Sequence, residues 1–246
     1  MSTSPAEIER CHQEVADALR AAAPGGDTGE RIRTDRGSTL PHLGLRTPAR
    51  RKLVKAGFSF YDLDETALLA VWDGIWHTAD SADVMFAVLD YYRERLKVRV
   101  PPGFWTVAKD WIDRVDNWAH ADDLARVYSW VLAANHEEVY PSLVTWNQLD
   151  SEWHRRVSIV SLIHYSGKNA VFVPPGLVFP LIESCLSDPR PGIQKAVGWV
   201  LREMAGTYEA ETIAFLKLHQ DQLSPTALRR ATERLDPTQQ AAVRHR

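Results

Sequence analysis

A chain of 246 residues, 45% hydrophobic and 25% charged, is long enough to bury a sizeable core or to form a row of repeated units. Its 29 Lys and Arg face 32 Asp and Glu for a net charge of −3, which excludes a global positive field and leaves only a local surface for a nucleic-acid partner. No apolar run approaches the roughly 18 to 20 residues of a membrane span, the first residues lack the marks of a signal peptide, and Cys11 and Cys185 lie too far apart for a disulfide scaffold or a zinc site. The expectation is a cytoplasmic, soluble protein without cofactor or metal.

Residues 1–4 read as loose. From Pro5 to Ala23, Ile8, Val15, Ala18 and Leu19 among charges predict an amphipathic helix, closed by PGGDTG at Pro24 to Gly29. A turn-rich stretch runs to Gly44. Beyond Thr47 the apolar spacing predicts helices near 48–56, 62–76, 80–97, 102–115, 118–134 and 137–148, then near 151–165, 175–186, 190–205, 209–221, 224–234 and 237–245. Pro-bearing or polar turns separate them, among them Tyr140-Pro141, Pro174-Pro175, Ser224-Pro225 and Asp236-Pro237. Hairpin signals for β-strands are missing. An all-α chain is expected, with helix pairs recurring about every 35 to 45 residues as in a curved α-solenoid of HEAT-like hairpins. Residues 1–246 then form a single domain, and a compact bundle is the second architecture.

Residues that break helical patterning mark candidate sites. Near 190–205, Ile193, Ala196, Val197, Val200, Leu201 and Met204 complete an apolar stripe, and Trp199 lies off it between Lys195 and Arg202. That indole either faces a cationic surface or packs on a neighbouring repeat. Near 118–134, Trp118 and Asp122 stand one turn apart on a face away from Leu124, Val127, Tyr128 and Val131. Taken alone, the pair is more simply explained by Trp118 as a helix-entry anchor and Asp122 or Asp123 as a first-turn acid that complements the dipole. Near 151–165, Arg156 falls among the inward-facing Trp153, Val157, Val160 and Ile163, so it needs a carboxylate, a carbonyl or a bound anion. In LGLRTPARRKLVK, Thr47 is the expected cap, Pro48 the first helical residue, and Arg50 and Arg51 occupy a first turn whose dipole they oppose. A phosphate on the exposed amides resolves that conflict, and so does a solvated charge run.

Walker, G-x-G-x-x-G, G-x-S-x-G and H-E-x-x-H motifs are absent, and the nine His are scattered. What remains is indoles, one carboxylate and arginines. Indoles attract positive charge, a carboxylate stabilises a developing oxocarbenium ion or orients water, and arginine holds phosphate. An N-alkylated purine in DNA presents all three partners, and its cationic base leaves without a general acid.

Four ordered segments carry a resemblance: HLGLRTPARRKLVK at 42–55, DNWAHADDL at 116–124, SEWHRR at 151–156 and IQKAVGWVLRE at 193–203. In these the chain resembles the AlkD-type DNA alkylation-repair glycosylases, which are built from HEAT-like repeats. The resemblance implies hydrolysis of the N-glycosidic bond of cationic N3- or N7-alkylated purines in duplex DNA without deep base flipping, unlike the usual extrusion of the damaged base. It implies catalytic roles for Trp118, Asp122, Arg156 and Trp199. Arg46, Thr47, Arg50, Arg51, Lys195 and Arg202 are candidate contacts to the DNA backbone. Between Cys11 and Phe58, where relatives often place an aromatic, this chain has none, so one wall of the site is either missing or replaced by His42. The expected protein is a monomer. A non-catalytic relative that binds damaged or branched DNA, and a helical scaffold for protein partners, are the rival readings.

Overall fold

The computed structural model describes residues 4–164 and 170–244, with fourteen α-helices and no β-strand beyond one isolated bridge, Ile163 with Val171, among those residues. The chain divides into two compact units, 1–127 and 128–246, and the division falls inside one helix.

The first unit holds α1 (Pro5–Ala21), α2 (Thr28–Arg36), α3 (Thr47–Ala56), α4 (Glu65–Thr78), α5 (Ala82–Arg95), α6 (Phe104–Ala108) and the first turns of α7 (Trp118–Ala134). Ser4 belongs to the ordered fold and not to a loose end. Its hydroxyl accepts from Glu7 N at 3.3 Å while the Glu7 carboxylate accepts from Ser4 N at 2.8 Å, a capping box that satisfies two otherwise open amides. Residues 1–3, also expected loose, lie outside the described residues. α1 turns Cys11, Val15 and Leu19 onto α4 and α5, and α3 packs on α5. Behind them sits an aromatic core: Trp76 stacks on Trp111 at 5.3 Å, Trp76 Nε1 donates to Trp111 O at 3.1 Å, and Trp111 Nε1 donates to Asp73 at 2.7 Å. Each indole thus buries its ring without losing its hydrogen bond.

The structure corrects the sequence reading here. α2 occupies part of the stretch read as turns, and the helix expected near 102–115 is α6 followed by a 3-10 segment, Lys109–Arg114. Gly29 in α2 lies against the chain at His42, where a Cβ would fall 1.9 Å from the carbonyl oxygen.

The second unit holds the rest of α7, α8 (His136–Asn147), α9 (Glu152–Val160), α10 (Pro175–Glu183), α11 (Pro191–Ala205), α12 (Glu209–Leu218), α13 (Pro225–Ala231) and α14 (Pro237–Arg244). Pro175, Pro191, Pro225 and Pro237 each open a helix, where the missing N–H costs nothing. Pro141, expected to separate helices, lies inside α8 early enough that only one intrahelical bond is lost. α9 ends at Val160, and Tyr165 and His245, the expected last residues of two helices, lie outside the described residues. α11 is central: α9, α12 and α13 all pack on it, and its stripe from Ile193 to Met204 is fully buried.

Candidate functional site

In the first unit the site grows from the start of α7. Asn117 caps the helix, its Oδ1 accepting from Ala119 N at 3.0 Å and His120 N at 3.1 Å. The cap fixes Trp118 as the first helical residue, and this residue is 44% exposed. One turn later Asp122 is only 6% exposed. The same helix therefore presents an indole to solvent and keeps a carboxylate in the protein just behind it. Asp123, its neighbour, pairs with Arg126 at 3.4 Å.

Asp116 ties this helix start to the loop after α2. It accepts from Thr39 N at 2.6 Å, Thr39 Oγ1 at 2.7 Å, Ser38 Oγ at 3.0 Å and Asn117 Nδ2 at 2.7 Å. Burial alone would raise its pKa, but hydrogen bonds from His120, Thr39 and Asn117 outweigh it and hold the carboxyl far below the usual range. Asp83 does a similar task on the same loop, accepting from Leu43 N at 2.7 Å. Burial pushes the Asp83 carboxyl up, against that hydrogen bond and Arg50.

The clamp brings Arg36, at the end of α2, over two rings: its Cζ lies 5.9 Å from the Trp118 centroid and 5.2 Å from that of Phe86. His42 does not reach Trp118 as a ring pair. It stacks on His120 with centroids 6.5 Å apart, and burial, with help from Arg36 and His120, lowers its pKa to about 4. Its Nε2 is buried and makes no hydrogen bond among the described residues.

The arginines of α3 are arranged differently from expectation. Arg46, not Thr47, is the cap residue, and its side chain bonds no amide; Thr47 is the first helical residue. Arg50 Nε donates to Asp90 at 2.8 Å and Arg51 Nε to the same carboxylate at 2.9 Å. Asp90 on α5 supplies the anion that these cations need. Arg50 is buried, whereas Arg51 keeps part of its surface and Arg46 is exposed.

In the second unit Arg156 is buried on α9, and its Nη1 donates to the carbonyl of Gly192 at the start of α11. Trp199 is 7% exposed. Its predecessor explains how close α11 comes to α13: a Cβ on Gly198 would lie 2.7 Å from Ala227 O. Of the flanking cations, Lys195 is exposed, and Arg202 donates to Glu203 and Glu233, both at 2.9 Å. Glu203 also accepts from Arg234 at 2.7 Å. The face around Trp199 is thus a mixed ion-pair network with Lys195 beside it. Among the described residues no group of His, Cys, Asp and Glu could hold a metal ion, and no helix is long and apolar enough to cross a membrane.

Sequence reasoning missed Arg36, Asp116, Asp83 and Asp90. The signal for Arg36 was a basic residue just before Gly37, a common helix ending. The partners of Asp90 and Asp116, 39 to 78 residues away in sequence, left no local trace.

The fold belongs to a known class of all-helical repair proteins. A predicted DNA alkylation repair enzyme from Enterococcus faecalis is similar with a TM-score of 0.71 at 18% identity, over 87% of this chain and 97% of that one. The Pseudomonas fluorescens alkylpurine DNA glycosylase AlkC, bound to DNA containing an abasic site analog, is similar with a TM-score of 0.53 at 14% identity, over 96% of this chain and 66% of that one. The model of the DNA alkylation repair enzyme family matches residues 16–235, and the chain belongs to that family. No curated protein sequence matches it.

Proposed function

We propose that this protein is an AlkD-type DNA glycosylase that hydrolyses the N-glycosidic bond of cationic N3- and N7-alkylated purines in duplex DNA without deep base flipping. The observation that carries this reading is the pair at the start of α7, an exposed Trp118 one turn before a buried Asp122, in a chain of the DNA alkylation repair family. As the C1′–N bond breaks, its electron pair neutralises the alkylated purine, which departs without needing a proton. The carboxylate of Asp122 stabilises the sugar cation or orients the water that adds to C1′, as carboxylates do in glycoside hydrolysis. The face of Trp118 favours the positive charge of the sugar and base.

In this reading Trp199 is the second indole at the lesion and Arg156 holds a phosphate. Arg46, Thr47, Arg51 and Lys195 contact the DNA backbone. Arg50 and Arg202, held by Asp90 and by the two glutamates, keep their helices in place. A protein acting on chromosomal DNA works where that DNA is, in the cytoplasm, or at the nucleoid if the cell is bacterial; in this reading it acts as a monomer.

The test is release of N7-methylguanine and N3-methyladenine from methylated duplex DNA by the wild type and by Asp122→Asn. Release by the wild type with a loss of about 100-fold or more in the variant is the expected result, a size typical of removing one electrostatic stabiliser. Equal release would remove Asp122 from the mechanism. No release by a wild type that still binds DNA would make the protein a non-catalytic binder, and no DNA binding would leave a protein-interaction scaffold.

A further inference from the structure

Arg36 differs from the other arginines around it. Arg50 shares the same Phe86 ring, at 4.5 Å, but its charge is answered by Asp90. The guanidinium of Arg36 makes no hydrogen bond and no ion pair among the described residues; it faces the rings of Phe86 and Trp118. Asp83, Asp123 and Asp35 act on it only at longer range. Burial and the like charge of Arg50 pull its pKa below the ordinary arginine value, and it remains a cation. A partly desolvated guanidinium with five donors and no acceptor carries an unmet cost that a bound anion would remove.

Its location says which anion. On one side is the exposed ring of Trp118. On the other is an open groove of about 630 Å³ lined by Thr28, Ile32, Arg36, Arg46 and Thr47 among others. Arg46, across that groove, makes no ion pair among the described residues, and the α3 N-terminus it precedes has no side-chain cap, so its dipole adds positive potential. The clamp of Asp116 on residues 38–40 holds the end of α2 against the start of α7, so the guanidinium is placed in advance.

We propose that Arg36 binds a backbone phosphate of the DNA strand beside Trp118, and that the groove from Arg36 to Arg46 carries the continuing phosphates of that strand. The inference rests on the reading of Trp118 as a contact to the lesion. With its guanidinium on one face of Trp118, Arg36 leaves the rest of the ring for the damaged nucleotide and pairs with the phosphate next to it.

The experiment measures binding of a duplex containing an abasic-site analogue across a salt series, for the wild type, Arg36→Gln, Arg36→Lys and Arg46→Gln. Loss of one phosphate contact lowers the slope of log affinity against log salt by about 0.9. Arg36→Gln should show that drop and bind about tenfold more weakly at low salt, Arg36→Lys should keep the slope, and Arg46→Gln should show a smaller drop. An unchanged slope in Arg36→Gln overturns the proposal, whatever happens to its melting temperature. If that variant does not fold, an unchanged slope in the exposed Arg46→Gln overturns the groove. Base release by the wild type is scored separately. A wild type that releases no base, with the slope drop intact, would keep Arg36 and discard the glycosylase; base release with an unchanged slope would do the reverse.

Discussion

Trp118 in the first unit and Trp199 in the second both lie off the apolar stripe of a long helix, yet one is 44% exposed and the other 7%. The difference lies in what surrounds each helix. α7 begins at Trp118, held by the Asn117 cap, with Arg36 over the indole. α11 is packed by α9, α12 and α13, and Gly198 lets the last come close, so a residue off the stripe is still inside. A residue off the apolar stripe is therefore exposed only where its helix has a free side.

Substitution of each indole by alanine would break this comparison most sharply. Trp199→Ala should destabilise the protein by about 3–5 kcal/mol, the range for a buried large aromatic. Trp118→Ala should cost under about 1 kcal/mol in stability and abolish most base release. Denaturant unfolding with the base-release assay checks both; equal destabilisation would mean that Trp118 is a core residue in solution.

The two carboxylate hubs sharpen the same contrast. Asp90 holds Arg50 and Arg51 in a nearly closed environment, whereas the Arg234 partner of Glu203 is half exposed. Asp90→Asn should cost about 3 kcal/mol, because it leaves a buried guanidinium without its counter-ion. Glu203→Gln should cost about 1 kcal/mol, since water reaches its partners. Thermal unfolding of both variants side by side gives the order, and a larger loss for Glu203→Gln would refute the argument from burial.

The smallest effect is one of pH. His42 has its pKa lowered to about 4 in the fold, mainly by burial. Between pH 6.5 and 4 the unfolded chain binds a proton there that the folded chain refuses, so stability falls as pH falls through that window. Allowing for partial solvent screening, the loss is about 1 kcal/mol. Below it the depressed Asp116 carboxyl adds a further loss as it protonates. His42→Gln should flatten the first part of the curve alone, and an unchanged curve would show that His42 titrates normally.

The helices most readily read from the sequence are those with apolar faces. The stripe from Ile193 to Met204 and the helix beginning at Trp118 follow from 3.6-residue periodicity and a cap, which are local properties of the chain. α2 was hidden because Ile32 is its lone large apolar residue, and a polar helix held by tertiary contacts has no periodicity to read. Pro141 misled because proline ends helices on average but is tolerated near a start. Among the candidate residues, the spacing of Trp118 and Asp122 was plain in the sequence. The contrast between an exposed ring and a buried carboxylate was not.

By itself the sequence determined the all-helical class, the order of the helices after Thr47 and the residue types able to handle a cationic base on a phosphate chain, because these depend on spacing within a turn or two. Only the tertiary structure decided which cations are free to act. Asp90 neutralises the buried Arg50 and leaves part of Arg51 exposed, Glu203 and Glu233 engage Arg202, and Arg36 lies over an indole with no ion pair among the described residues. Charge pairing falls off steeply with distance and depends on burial, and both are set by how the helices pack.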